Sequence, residues 1–193
     1  MEFIIEKIGM SRTVEVPSVP VTLLKIVDTK VCEVREDGKA LVAFNSSKKL
    51  NKSIEGQQTK YGVSKEFNKF MTISVAEGTE AGDLNTAALA EAAVVKTSFN
   101  TKGRGFQGAV KRHGFAGGPA SHGHRFGRRV GSIGMCEWPG RVQPGQKMPG
   151  QYGNTKTTVK NEVISYDAEN GILVLKGSVP GANGSRGLVR IVK

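Results

Sequence analysis

Apolar and polar positions alternate at the two ends of this chain and lose any period in its middle. Val19 to Val27 is apolar-rich and β-branched, Val31 to Arg35 alternates, and Ala40 to Phe44 follows across Asp37-Gly38. Asp-Gly between alternating runs favours a tight hairpin. The far end repeats the theme with Thr157 to Tyr166, a turn at Glu169-Asn170-Gly171, Ile172 to Lys176, and a last short strand from Leu188 to Val192. Short strands at this spacing, punctuated by Pro180-Gly181 and Asn183-Gly184, predict a small antiparallel β-barrel. The fold class expected is mainly β with an α/β insertion, and residues 1–45 and 159–193 form the barrel.

Two insertions separate these ends. In residues 46–96 the spacing of Tyr61, Val63, Phe67 and Phe70 is loosely helical, Met71 to Val75 fits a strand, and Val94 to Phe99 is strand-like. The Ala- and Leu-rich stretch from Asp83 to Ala93 predicts a short helix, since these are the best helix formers. The expectation is a small α/β lobe. Residues 97–158 show neither a period of two nor one of 3.6 and read as a long irregular extension. Loops of that length are functional or disordered, and interleaved Arg and aromatic residues argue against a plain flexible linker. No internal repeat is visible.

Charge sharpens the division. Between Lys96 and Lys160 lie twelve Lys/Arg against one acid, Glu137, so the formal +11 of the chain is the charge of its middle. The same stretch holds 14 of 25 glycines and all three histidines, but of Val, Ile and Leu only Val110, Val130, Ile133, Val142 and Val159. So little branched apolar surface cannot offset the entropy of ordering it. A polyanion is the natural partner. Cys32 and Cys136 are too few and too far apart for a disulfide framework and suggest a reducing compartment, with Cys32 a packing residue. No apolar run reaches transmembrane length, and Met1-Glu2-Phe3-Ile4-Ile5-Glu6 has acids where a signal peptide needs cations, so the cytoplasm is the expected location.

Candidate chemistry narrows by elimination. Gly103-Arg104-Gly105-Phe106-Gln107-Gly108 fits GxGxxG, yet Lys111-Arg112-His113-Gly114 ends any following helix, and no acid appears before Glu137 to hold a ribose. His113, His122, His124 and Cys136 lack the spacing of a zinc site, and a single carboxylate cannot supply paired acid–base groups. No catalytic residue, metal or cofactor is expected. What remains is a basic thread set with aromatics. Lys102, Arg104, Lys111, Arg112, Arg125, Arg128, Arg129, Arg141, Lys147 and Lys156 suit phosphates, and His113, His122 and His124 suit phosphate or base contact. Trp138 and Tyr152 suit stacking on unpaired bases, although aromatics near the base of the extension, such as Phe99 and Phe106, equally suit pinning it to the barrel. Bends at Gly131-Ser132-Ile133-Gly134, Pro139-Gly140, Pro144-Gly145 and Pro149-Gly150 favour the crevices of folded RNA over the regular groove of B-DNA.

Several motifs in order carry a resemblance: Lys7-Ile8-Gly9-Met10-Ser11-Arg12, the run Lys102 to Gly108, Ser121-His122-Gly123-His124-Arg125, Pro139-Gly140-Arg141-Val142, Gly145-Gln146-Lys147-Met148, Gly153-Asn154 and Lys176 to Ala182. The chain resembles the universal large-subunit ribosomal protein family usually called L-three, bacterial type, over nearly its whole length. The resemblance implies an elongation-factor-like barrel, an inserted lobe, direct binding to large-subunit rRNA early in assembly, and neighbouring ribosomal proteins of the fourteen and nineteen families. It adds Lys7, Arg12 and Asn154 to the rRNA contacts. It also implies a tip, Met135, Cys136, Glu137, Trp138, Pro139, Gly140 and Arg141, that approaches the peptidyl transferase centre without performing its chemistry.

One position departs from the pattern. Some bacterial members carry at the position of Glu137 a Gln methylated on its side-chain amide, and Glu137 has no amide to modify. A carboxylate among phosphates needs a cation or an amine, so Glu137 is expected to meet Arg141, a base amino group or a bound ion. Two rivals share parts of this reading. A DNA-compacting protein would share the charge, and an enzyme on an elongation-factor-like or flavin-reductase-like barrel would share the core.

Overall fold

The computed structural model describes residues 1–14, 16–46, 50–76 and 78–192. In chain order the elements are β1 (Glu2–Arg12), β2 (Pro20–Ile26), β3 (Thr29–Arg35), β4 (Lys39–Phe44), α1 (Lys52–Tyr61), β5 (Lys69–Ser74), β6 (Gly82–Asp83), a 3-10 turn (Ala87–Leu89) and β7 (Val94–Asn100). They continue with β8 (Phe106–Gln107), α2 (Ala109–His113), β9 (Gly150–Gln151), β10 (Lys156–Asp167), β11 (Ile172–Lys176) and β12 (Arg186–Ile191).

Six strands close an antiparallel barrel in the order β1-β12-β7-β10-β11-β2. Alternation puts one side of each strand inside: Val95, Thr97 and Phe99 of β7 are buried, as are Leu173 and Leu175 of β11. They pack with Phe3, Ile5, Leu24 and Val189 into one core. Each such side chain taken fully from water contributes about 1.5–3 kcal/mol. The polar groups inside are paired: Thr97 Oγ1 donates to Asn161 Oδ1 at 3.1 Å, and Asn161 Nδ2 donates to the Lys176 carbonyl at 3.0 Å. Gly187 lets β12 cross β7 closely, because a Cβ there would lie 2.5 Å from the Ser98 carbonyl oxygen and 2.7 Å from the Phe99 ring.

A second sheet, in the order β5-β4-β3-β6, has its own core of Ile4, Val31, Ala40, Val42, Phe44 and Ile73. Here the strand assignments depart from the sequence reading. β3 and β4, placed in the barrel by their alternation, pair with β5 and β6 instead. A hairpin signal fixes which strands are joined by the turn, but not which sheet their outer edges enter. β7 and the start of β10 are barrel strands, so residues 97–100 and 156–158, read as extension, pair in the barrel wall.

Three local elements also differ. β1 gave no strand signal because it is buried on both sides: Phe3 and Ile5 face the barrel core, while Ile4 between them faces the second sheet. A doubly buried strand reads as a continuous apolar run without a period of two. The helix expected over Asp83–Ala93 is reduced to the single turn Ala87–Leu89, since Leu89 is drawn wholly into the barrel core. Packing overrides propensity there. Conversely α1 forms from a polar sequence. Its one buried residue, Gln58, donates through Nε2 to the carbonyls of Lys65 at 3.3 Å and Phe67 at 2.8 Å, and Gly62 closes the helix at φ 61°. No apolar stripe announces such a helix.

The chain divides into two compact units, residues 1–100 with 156–193, and residues 101–155. Ala109 is the only buried residue of the second unit.

Candidate nucleic-acid interface

Residues 101–155 are organised by backbone hydrogen bonds at their base. Thr101 N–H donates to the Thr155 carbonyl at 3.0 Å, Asn154 N–H to Thr101 at 3.2 Å, Arg104 N–H to Tyr152 at 2.9 Å, and Tyr152 N–H to Gly105 at 2.9 Å. β8 and β9 extend this ribbon through Phe106↔Gln151 and Gln107↔Gly150. Gly153, at φ 77°, is required in it: a Cβ would sit 2.1 Å from the Lys102 carbonyl oxygen.

Beyond the ribbon stands α2, five residues long, so the GxGxxG run opens only a stub of helix. Its last turn clamps the returning strand. Arg112 Nη1 donates to the Met148 carbonyl at 2.6 Å, and His113 Nε2 lies 3.0 Å from the same oxygen. Past α2 the pairing thins. Gly118 N–H donates to the Gly127 carbonyl at 2.8 Å, Arg129 N–H to Phe126 at 3.2 Å, and Ser132 Oγ to Gly134 at 3.0 Å.

The residues singled out in the sequence fall into several groups. Lys102, Lys111, Arg125, Arg128, Arg141, Lys147 and Lys156 are exposed cations, as is Arg12 at the end of β1. Two exposed cations lie over rings: the Arg104 guanidinium is 5.1 Å from the Tyr152 ring centre and Arg129 is 5.8 Å from that of Phe126. Phe126 also meets His124 edge-on at 6.4 Å, so His124, Phe126 and Arg129 form one small cluster. His122 and Asn154 are exposed and adopt left-handed backbone, φ 60° and 54°.

Three residues named from the sequence are spent within the protein. Arg112 and His113 are half-buried on Met148. Lys7 is only 6% exposed, and its Nζ donates to the carbonyls of Val179 at 2.6 Å and Gly181 at 3.3 Å. The motif that suggested Lys7 is a packing motif at that position. The role of the Met148 carbonyl as a shared acceptor was not visible, because a backbone oxygen leaves no mark in the sequence.

The segment Met135–Arg141 is exposed throughout, with Trp138 at 87% and Met135 at 78%. Its Trp138–Pro139 peptide is cis. Glu137 and Arg141 form no ion pair, so the intramolecular partner considered for this carboxylate is not used. In all, residues 101–155 present nine Lys/Arg against Glu137 alone. Among the described residues the ion pairs are Lys176–Glu162 at 2.7 Å and Arg186–Glu6 at 3.2 Å, neither of them in this unit. No group of three His, Cys, Asp or Glu gathers around a common point among the described residues.

Comparison with known proteins bears on this basic, coreless unit directly. A family model described as Ribosomal protein L3 matches residues 62–171, a span that contains all of it. The chain belongs to the ribosomal protein L3 family. Relatives named Large ribosomal subunit protein uL3 are 67% identical in Wolinella succinogenes and 65% in Campylobacter jejuni, each over the full length of both chains. One from Thermotoga petrophila is 40% identical over 97% of this chain and 95% of its own. As a member of the L3 family the chain is a ribosomal protein of the bacterial type, a structural component.

Proposed function

We propose that this L3-family chain is a structural constituent of the large ribosomal subunit that binds large-subunit rRNA directly through residues 101–155. The observation that carries the reading is an imbalance. Fixing the backbone of these 55 residues costs about 1–2 kcal/mol per residue, and the unit buries one alanine. Nine cations that form no ion pair among the described residues add mutual repulsion. Phosphates offset both terms, by pairing with the cations and by walling the thread. Trp138 and Phe106, both largely exposed, supply faces for unpaired bases.

The same reading has the chain join the subunit early in assembly, touch neighbouring ribosomal proteins of the fourteen and nineteen families, and carry Met135–Arg141 toward the peptidyl transferase centre. Glu137 then accepts from a base amino group or through a bound ion. Ultraviolet cross-linking of the assembled large subunit tests this. Cross-links to rRNA should concentrate in residues 101–155, and those from Trp138 should fall near the peptidyl transferase centre. A set confined to residues 1–100 and 156–193 would refute it.

A further inference from the structure

The first unit carries a feature that the basic thread does not account for. A cleft of about 180 Å³ opens where β7, β10 and β12 of the barrel meet β4 and β5 of the second sheet. We propose that it takes the base of one unpaired nucleotide, with that nucleotide's phosphate held outside by Lys69 and Lys156. The inference rests on the rRNA-binding reading above and gives the barrel unit a contact of its own.

Size selects a ring. The cleft is well below the roughly 300–1,000 Å³ of sites that enclose a whole drug-sized ligand. A base fits, and its sugar and phosphate stay outside. Ile4, Phe44 and Leu188 give it apolar walls, and its mouth carries Lys69, Lys156 and Asn100. No carboxylate lines it.

The polar groups differ in how far they are already committed. Arg186 bonds to Glu6 and to the Asn45 carbonyl and lies 5.7 Å from the Phe44 ring centre, so it serves as wall. Lys69 and Lys156 are exposed and form no ion pair among the described residues, and the Lys69 ammonium, 5.6 Å from the Phe44 ring centre, keeps its full charge for a phosphate. Asn100 is exposed, and its side-chain amide offers a donor and an acceptor side by side, the pair that reads a base edge. Strand pairing fixes all of them: Asn100 stands opposite Lys156, Phe44 opposite Lys69, and Ser98 opposite Leu188. A site on sheet backbone is held ready before the ligand arrives. An acidic peptide would answer the lysines but bring no flat ring for the cleft, and exposed carboxylate–lysine pairs contribute little by themselves.

The test uses the full chain. The four ribonucleoside 5′-monophosphates are titrated by amide NMR beside ribose 5-phosphate and an acidic, aromatic-free peptide, and binding to large-subunit rRNA is measured in parallel. Nucleotides should shift Ser98–Asn100 and Gly187–Leu188, with ribose 5-phosphate about tenfold weaker. Asn100→Ala should alter the preference among bases. The double variant Lys69→Gln/Lys156→Gln should lower the salt slope of rRNA binding by about 1.4–1.8, two contacts' worth. No shift with any nucleotide, equal binding of ribose 5-phosphate, or tighter binding of the peptide would overturn the proposal. If wild type binds rRNA and the double variant binds it identically, the cleft proposal alone fails. If wild type binds no rRNA, the functional reading fails and takes the cleft with it.

Discussion

The Lys7 ammonium lies 2.6 Å from the carbonyl oxygen of Val179, 172 positions further along the chain. A cation that the family resemblance offered as an rRNA contact instead ties the first strand of the barrel to the turn before its last strand.

Lys7→Met should therefore destabilise the protein without weakening its grip on RNA. Leaving the carbonyls of Val179 and Gly181 short of a donor costs about 1–3 kcal/mol, visible as a lower urea midpoint. Below that midpoint the salt dependence of rRNA binding should match wild type. A shallower slope with unchanged stability would return Lys7 to the phosphate contacts.

Arg112 should behave in the opposite sense from its exposed neighbours. Arg112→Ala removes the clamp on Met148 and should speed hydrogen exchange and proteolysis through residues 108–150, while the main unfolding transition stays in place. Lys111→Ala, one position earlier and exposed, should leave exchange unchanged and lower RNA affinity. Equal exchange in both variants would remove the clamp from the account.

Strands were legible in the sequence where one face is buried and the other more exposed, as in β11 and β7, although β7 was not assigned to the barrel. Elements were illegible where both faces are covered, as at Phe3-Ile4-Ile5, and where hydrogen bonds through Gln58 replace an apolar stripe. Leu89 shows a third limit, since a core contact contributes more than the helix propensity of its alanine neighbours. The basic unit stood out by composition, because charge and glycine content need no knowledge of topology. Which cations are spent internally did not, since Lys7 of the barrel and Arg112 of the basic unit differ from Lys102 and Arg104 only in what the fold brings beside them.

Trp138 is the sole tryptophan and 87% exposed, so it reports on its own surroundings. Trp138→Ala should change the stability of the free protein by no more than about 0.5 kcal/mol. The wild-type fluorescence should be that of a hydrated indole and should be quenched when rRNA binds. A destabilisation above about 2 kcal/mol would make Trp138 a packing residue.

The two thiols should separate by reagent and by pH. Burial raises the pKa of Cys32, so at a given pH it holds less thiolate than an ordinary thiol, and its alkylation should accelerate only as pH climbs past the usual range. Cys136 is exposed and should label first in the free protein, then become protected in the assembled subunit. Faster labelling of Cys32 at neutral pH would contradict the partial burial of its thiol.

The central claim is that residues 101–155 are the electrostatic anchor on RNA, and the salt dependence of binding to large-subunit rRNA tests it most directly. With Arg112 committed to Met148, eight Lys/Arg of this unit remain for phosphate. At roughly 0.7–0.9 per contact these eight give a slope of log K against log salt between about −5.6 and −7.2, to which the two lysines of the cleft add about 1.4–1.8 in magnitude. A slope near −2 would show that the main contact lies elsewhere.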